Sequence, residues 1–152
     1  MVRAMTDVMH HTLYDGRRIA FHFTPGAGPT LVFLPGYMSD MSGSKATALF
    51  AEAQAQGRAC LLLDYSGCGA SGGDFSDGML SRWRDEVLAL VASYVSGPVL
   101  LVGDAASTID PLSSQGLAKA LASADAGACA VQTMLERPDL RGLVLQHQQQ
   151  WE

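Results

Sequence analysis

The sequence predicts one three-layer α/β/α domain with a mostly parallel sheet, spanning 1–152, and three observations carry that expectation. The runs 30–34, 59–63 and 99–102 are short, continuously apolar and closed by Gly or Asp, as strands buried on both faces are. Segments with helical spacing of apolar residues separate them, so strand and helix alternate. Sixteen glycines among 48% hydrophobic residues supply many tight turns, and 152 residues are enough for one well-buried core.

Taken in order, 18–23 alternates in character and ends at the turn residues 24–29, which predicts an antiparallel strand, with 12–14 before Asp15-Gly16 as candidate hairpin partner. Helix is expected over 44–56, with Ala48, Leu49, Ala51 and Ala55 on its stripe and Gly57 just past its end. A second helix over 80–95 places Leu80, Trp83, Val87, Leu88, Val91 and Val95 on one stripe. The strands at Leu31, Leu62 and Leu101 are expected to be central, joined by right-handed crossovers. Beyond Val102 the pattern changes to a long small-residue helix over 111–135, packed on one face of the sheet from Gly116 onward. Residues 140–150 fit either helix or, at 143–145, strand.

Net charge −5 without a Lys/Arg cluster speaks against nucleic acid or an anionic membrane as partner. Cys60, Cys68 and Cys129 show no metal-ligand spacing and fit reduced thiols. No apolar run approaches bilayer length and the first residues lack a secretory apolar core, so a cytoplasmic protein is expected. Substrate and oligomeric state leave no trace in the sequence.

The segments Phe33-Leu34-Pro35-Gly36-Tyr37-Met38-Ser39-Asp40, Asp64-Tyr65-Ser66-Gly67-Cys68-Gly69-Ala70-Ser71 and Ser81-Arg82-Trp83 together resemble the α/β-hydrolases. The likeness is to serine esterases related to palmitoyl-protein thioesterase and acyl-glucuronide esterase, and it covers about 14–103. It implies that the Tyr37 backbone N–H is one donor of an oxyanion hole, fixed at a strand end. It also implies a G-x-S-x-G elbow after the 99–102 strand, but the chain reads Gly103-Asp104-Ala105-Ala106-Ser107. Ala105 stands at the nucleophile's position and cannot attack, and Ser107 stands where the second glycine belongs. Ser107 is therefore expected to be a helix cap, and His147, the one histidine after the elbow, a structural residue; the two are weak candidates for a catalytic pair. Two further strings, Gly69-Ala70-Ser71-Gly72-Gly73 and Gly67-Cys68-Gly69-Ala70-Ser71-Gly72, fit the elbow and dinucleotide patterns without the helix each requires, and read as loop.

From Gly103 onward the chain resembles a different family. Gly103-Asp104-Ala105-Ala106 with Asp110-Pro111-Leu112-Ser113-Ser114-Gln115-Gly116 is similar to the late FAD-contacting segment of flavin-dependent monooxygenases and halogenases. The resemblance implies that Asp104 bonds a ribityl hydroxyl and that Ser114 to Gly116, with Asp110 nearby, faces the flavin ring. The βαβ unit that holds the ADP half in that family is missing, so no resident cofactor is expected and weak FAD binding is the most that remains. Two families meeting near 102–104 imply a recombined chain, a designed chimera or a spurious fusion. The expected function is an α/β-hydrolase-like scaffold without an intact triad; the alternatives are a serine esterase or thioesterase using Ser107, and an FAD-binding oxidoreductase fragment.

Overall fold

The structure is a computed structural model that describes residues 7–103 and, beyond them, Ala128, Cys129, Gln132 and Glu136, all four in helix. The chain divides into two compact units, Met1–Ser107 and Thr108–Glu152. In the second unit the Gln132 amide donates to Glu136 Oε1 at 2.8 Å. The remainder of the helix expected over 111–135, and the segment 140–150, lie outside the described residues.

The first unit is built on a five-stranded sheet in the order β1-β2-β4-β3-β5, with β1 at Met9–Thr12, β2 at Arg18–Thr24, β3 at Ala27–Phe33, β4 at Arg58–Leu63 and β5 at Val99–Val102. Helix α1, Ser44–Ala55, joins β3 to β4, and α2, Leu80–Tyr94, joins β4 to β5. The three expected apolar runs form a parallel β4-β3-β5 core, and the β1–β2 hairpin adds to it antiparallel through β2 and β4. Among the described residues β5 is the last strand of the order, with Leu101 half exposed, and the strands at Leu31 and Leu62 lie inside the sheet.

Side chains alternate across the sheet with the period of two that strands impose. Ile19, Phe21, Val32, Leu34, Leu61 and Leu63 point to one face and pack with Leu90, Trp83, Val87 and Val91 of α2. Ala20, Phe33, Cys60 and Leu62 point to the other and pack with Ala46, Phe50 and Ala53 of α1. Helices on both faces make the three layers, and they explain why β2 is buried on both sides although it reads as half-exposed in sequence.

Four local expectations are corrected. The hairpin strand is Met9–Thr12, because Leu13 to Arg17 form the turn, closed by Leu13 N–H to Arg17 O and Gly16 N–H to Leu13 O, both at 2.9 Å. Strand β3 starts at Ala27, inside the expected loop, where Ala27 N–H meets Gly57 O at 2.8 Å and a register shift before Leu31 accommodates Pro29. Helix α1 buries Ala46, Phe50 and Ala53, one turn-face away from the expected stripe, of which Ala48 and Ala55 are exposed. On α2, Leu80 and Leu88 face solvent while Glu86 and Leu90 are fully buried. Each helix chose the face that meets the sheet, and a paired carboxylate took an inward position that apolar periodicity alone assigns to leucine.

Candidate functional site

Ligands of parallel α/β sheets bind beyond the carboxyl ends of the strands, where the connecting loops converge. Three segments leave that edge: 34–43 after β3, 64–74 after β4, and Gly103 after β5. Leu34 N–H donates to Val102 O at 2.7 Å, which carries the β3–β5 ladder one residue past β3. Gly103 follows with φ 103°, and a Cβ on it would lie 2.4 Å from Leu34 O. Only glycine fits there, so the residue that opens the elbow segment is pressed against the stem of the Pro35-Gly36-Tyr37 loop.

That loop turns sharply. Ser39 N–H donates to Gly36 O at 3.1 Å, and Met38 holds a left-handed φ of 54°, which costs free energy in a residue with a side chain. Among the described residues no backbone acceptor takes the Tyr37 N–H. The Tyr37 ring is largely exposed and meets the Phe75 ring edge-on at 5.4 Å, with Phe75 in turn against Trp83 at 5.8 Å. Met38, Met79 and Leu80 are exposed as well.

The loop after β4 is tied down by two buried carboxylates. Asp64 accepts Met41 N–H at 2.7 Å and Ala70 N–H at 2.8 Å, linking this loop to the one after β3. Burial pushes the Asp64 carboxyl above its usual range, the two N–H bonds opposing that shift and neighbouring Asp40 adding to it. Gly69, at φ 51°, lies so close that a Cβ would sit 2.0 Å from Asp64 Oδ2. Glu86, wholly buried, accepts Ser66 N–H at 2.9 Å and pairs with Arg17, which also holds Asp15 at 2.7 Å. Tyr65 stacks on Trp83 at 5.1 Å, and Trp83 Nε1 donates to Ser66 O at 3.2 Å.

These bonds decide the two glycine strings. The Ser71 hydroxyl donates to Asp64 O at 2.6 Å and accepts from Ala20 N–H at 2.8 Å, so it splices the β2 and β4 ends and is committed on both sides. Five of the six N–H groups of residues 67–72 are spent within the protein: Gly67 on Gly72 O, Cys68 on Tyr65 O, Ala70 on Asp64, Ser71 on Cys68 O and Gly72 on Arg18 O. A three-residue 3-10 turn, Phe75–Asp77, follows in place of a helix. Both strings are structural loop, as their context predicts.

Of the sequence-predicted site residues, Tyr37 is described and sits at the sheet's carboxyl edge. Asp104, Ala105, Ser107, Asp110, Ser114, Gly116 and His147 lie outside the described residues. Cys60 and Cys68 are buried thiols; burial pushes the Cys60 thiol up to about 12 and the Cys68 thiol upward, which makes both poor nucleophiles, and Cys129 is exposed. Among the described residues no group of three or more His, Cys, Asp or Glu could hold a metal ion, and no helix is long and apolar enough to cross a membrane.

Sequence reasoning passed over His22. It lies on β2 beside Ala20, facing α1, with its ring 5.8 Å from that of Phe50, and it is 3% exposed. Its Nδ1 is buried without a hydrogen-bond partner among the described residues. Burial lowers the His22 pKa below the ordinary 6.5, and the Asp64 charge only partly offsets this. A depressed histidine pKa means that the unfolded chain binds the proton first. The stabilising contribution is fully present above about pH 6.5 and is lost as pH falls through the lower folded value. The urea midpoint of the wild-type chain should therefore drop between pH 7.5 and 5.5, and His22→Phe should remove that part of the drop; an equal drop in the variant would refute the assignment.

Comparison with known proteins fits this geometry. No protein-family model matches the chain. Human palmitoyl-protein thioesterase ABHD10, mitochondrial, is 38% identical over 89 residues, 59% of this chain and 29% of the human protein. The bovine counterpart is 34% identical over 101 residues, 66% of this chain and 33% of that protein. Among solved structures, mouse alpha/beta hydrolase domain-containing protein 10 superimposes with TM-score 0.61 at 31% identity, over 65% of this chain and 40% of that one. A structure described as a hydrolase from Agrobacterium vitis S4 gives TM-score 0.59 at 37% identity, over 65% and 41%. The chain thus spans about a third of the length of the curated relatives it matches, and the fold is that of an α/β-hydrolase-like scaffold.

Proposed function

We propose that this chain is an α/β-hydrolase-like scaffold that keeps the oxyanion-side loop of the fold, with the Tyr37 N–H as its donor, and performs no serine-hydrolase turnover. One observation carries the reading. Strand β5 ends at Val102, Gly103 follows against Leu34 O at the edge where this fold raises its nucleophile, and the second residue beyond Gly103 is Ala105. A methyl group has no proton to lose and no lone pair to attack with, so a donor poised for an oxyanion has no alkoxide to act with. The recombined chain joined near 102–104 rests on the change of sequence pattern beyond Val102. On this reading the segment with Asp104, Asp110, Ser114 and Gly116 retains at most weak affinity for FAD.

The test is direct. Purified protein is expected to hydrolyse p-nitrophenyl acetate and short acyl thioesters no faster than buffer, and to take no label from an active-site serine phosphonate. The identity to a thioesterase favours a second reading, in which Ser107 is the nucleophile and His147 its base. Label on Ser107 that vanishes in Ser107→Ala and in His147→Ala would establish that reading and overturn the first.

A further inference from the structure

The loops after β3 and β4, 34–43 and 64–74, are joined through one side chain. Asp64, 2% exposed, accepts Met41 N–H on Oδ1 at 2.7 Å and Ala70 N–H on Oδ2 at 2.8 Å. One oxygen therefore holds the loop after β3 and the other folds its own loop back on the strand end. The Ala70 bond can close because Gly69 has no side chain, since a Cβ there would lie 2.0 Å from Oδ2.

This tie depends on charge. An ionised carboxylate accepts on both oxygens, and its hydrogen bonds are about twice as strong as those of a neutral group. A proton on either oxygen turns that oxygen into a donor facing an N–H, so one of the two bonds is given up. Burial favours that proton most strongly and the Asp40 charge adds to it; the two N–H bonds and His22 oppose it, and the balance leaves the Asp64 carboxyl above its usual range. Hydrogen bonds from Ser42 hold Asp40 below that range, so of the two acids Asp64 takes up a proton first. The other titratable groups around it are few. His22 approaches from β2 with a pKa lowered by its own burial, and Cys68, in the same loop, is a thiol pushed upward. His10 of β1 is exposed with Nε2 at 3.4 Å from Ala70 O, and Lys45 in the first turn of α1 is exposed.

We propose that Asp64 is a pH-operated tie: as a carboxylate it clamps the loops after β3 and β4 together, and protonation in mildly acidic solution releases one of its two bonds. The folded chain takes this proton at a higher pH than the unfolded chain does, so the stabilising contribution is fully present below about pH 3.8 and is lost as pH rises through the folded value. Acid therefore loosens the loops without unfolding the chain through this group. The loop after β3 also carries Tyr37, so control of that donor rests on the hydrolase reading, whereas the tie itself does not.

The experiment follows the Met41 and Ala70 amide resonances and the Asp64 Cγ resonance of the full chain by NMR between about pH 7.5 and 3.5. One shared midpoint above pH 3.8 is expected, with an upfield move of at least one amide as its carboxylate bond breaks. Protection of that amide against hydrogen exchange, relative to the intrinsic rate, should fall about tenfold in the acid form. Asp64→Asn, uncharged at every pH, should abolish the transition of both amides, and His22→Phe should leave it in place. The Cγ titration of the wild-type chain carries the test if either variant does not fold. The proposal is overturned if Cγ titrates at or below pH 3.8, if both amides stay still while it titrates, or if the amide transition persists in Asp64→Asn or disappears in His22→Phe. Serine-esterase turnover would overturn the functional reading alone, since none of these measurements uses it.

Discussion

Replacing Glu86 with alanine should cost about 3 kcal/mol of unfolding free energy, read as a fall in the urea midpoint at unchanged slope. The side chain is wholly buried and serves two partners, the Arg17 guanidinium and the Ser66 N–H at 2.9 Å. Truncation leaves a buried N–H without an acceptor and a cation without its inner partner. Arg17 keeps Asp15 and is 23% exposed, so the loss belongs at the lower end of the range of about 3–5 kcal/mol for breaking a buried pair. Glu86→Gln, which retains an acceptor for Ser66, should lose less. The double variant Arg17→Met with Glu86→Leu should also lose less than Glu86→Ala, since apolar replacement of both partners removes the unpaired charge. A loss in the double variant equal to the sum of the losses in Arg17→Met and Glu86→Leu would show that the two residues do not act together.

Phe50→Ala should be of similar size, about 4 kcal/mol, because it empties the centre of the second core. The ring is fully buried among Ala20, Phe33, Met41, Ala46, Ala53, Cys60 and Leu62. Several of those neighbours are alanines, which are too small to fill the void. Phe50→Leu keeps most of the volume and should cost about 1 kcal/mol. Set against an overall stability of about 5–15 kcal/mol for a domain, either alanine variant removes a large fraction. A change below about 1 kcal/mol in Phe50→Ala would mean that α1 repacks freely on the sheet.

The residues explain how much of this was legible. Strand β5 falls on the apolar run 99–102, β4 differs by one residue, and α2 starts at Leu80 as expected, because the run of apolar residues and the flanking Gly and Pro are local signals. The β3 start was not legible. Ala27 pairs with Arg58 through a glycine packed so tightly that a Cβ on Gly26 would lie 2.3 Å from the Arg58 carbonyl carbon, and nothing in Pro25-Gly26-Ala27-Gly28-Pro29 announces that distant strand. At the candidate site, Tyr37 could be placed from the segment around it. His22, Asp64 and Glu86 could not, since their roles exist only with partners brought from elsewhere.

By itself the sequence determined the alternation of strand and helix, the two-faced burial of the central strands, and the alanine at position 105. Each follows from the order of side chains along a few consecutive residues, where backbone geometry dictates which neighbours share a face. The tertiary structure alone decided which face of each helix turns inward, that Glu86 is buried and Leu88 exposed, and that β5 ends the described sheet. It also decided that His22, Asp40 and Asp64 line one cavity. The physical reason is range: Glu86 can be buried only because Arg17, 69 residues away, meets it there, and no local pattern encodes the arrival of a countercharge from the β1–β2 turn.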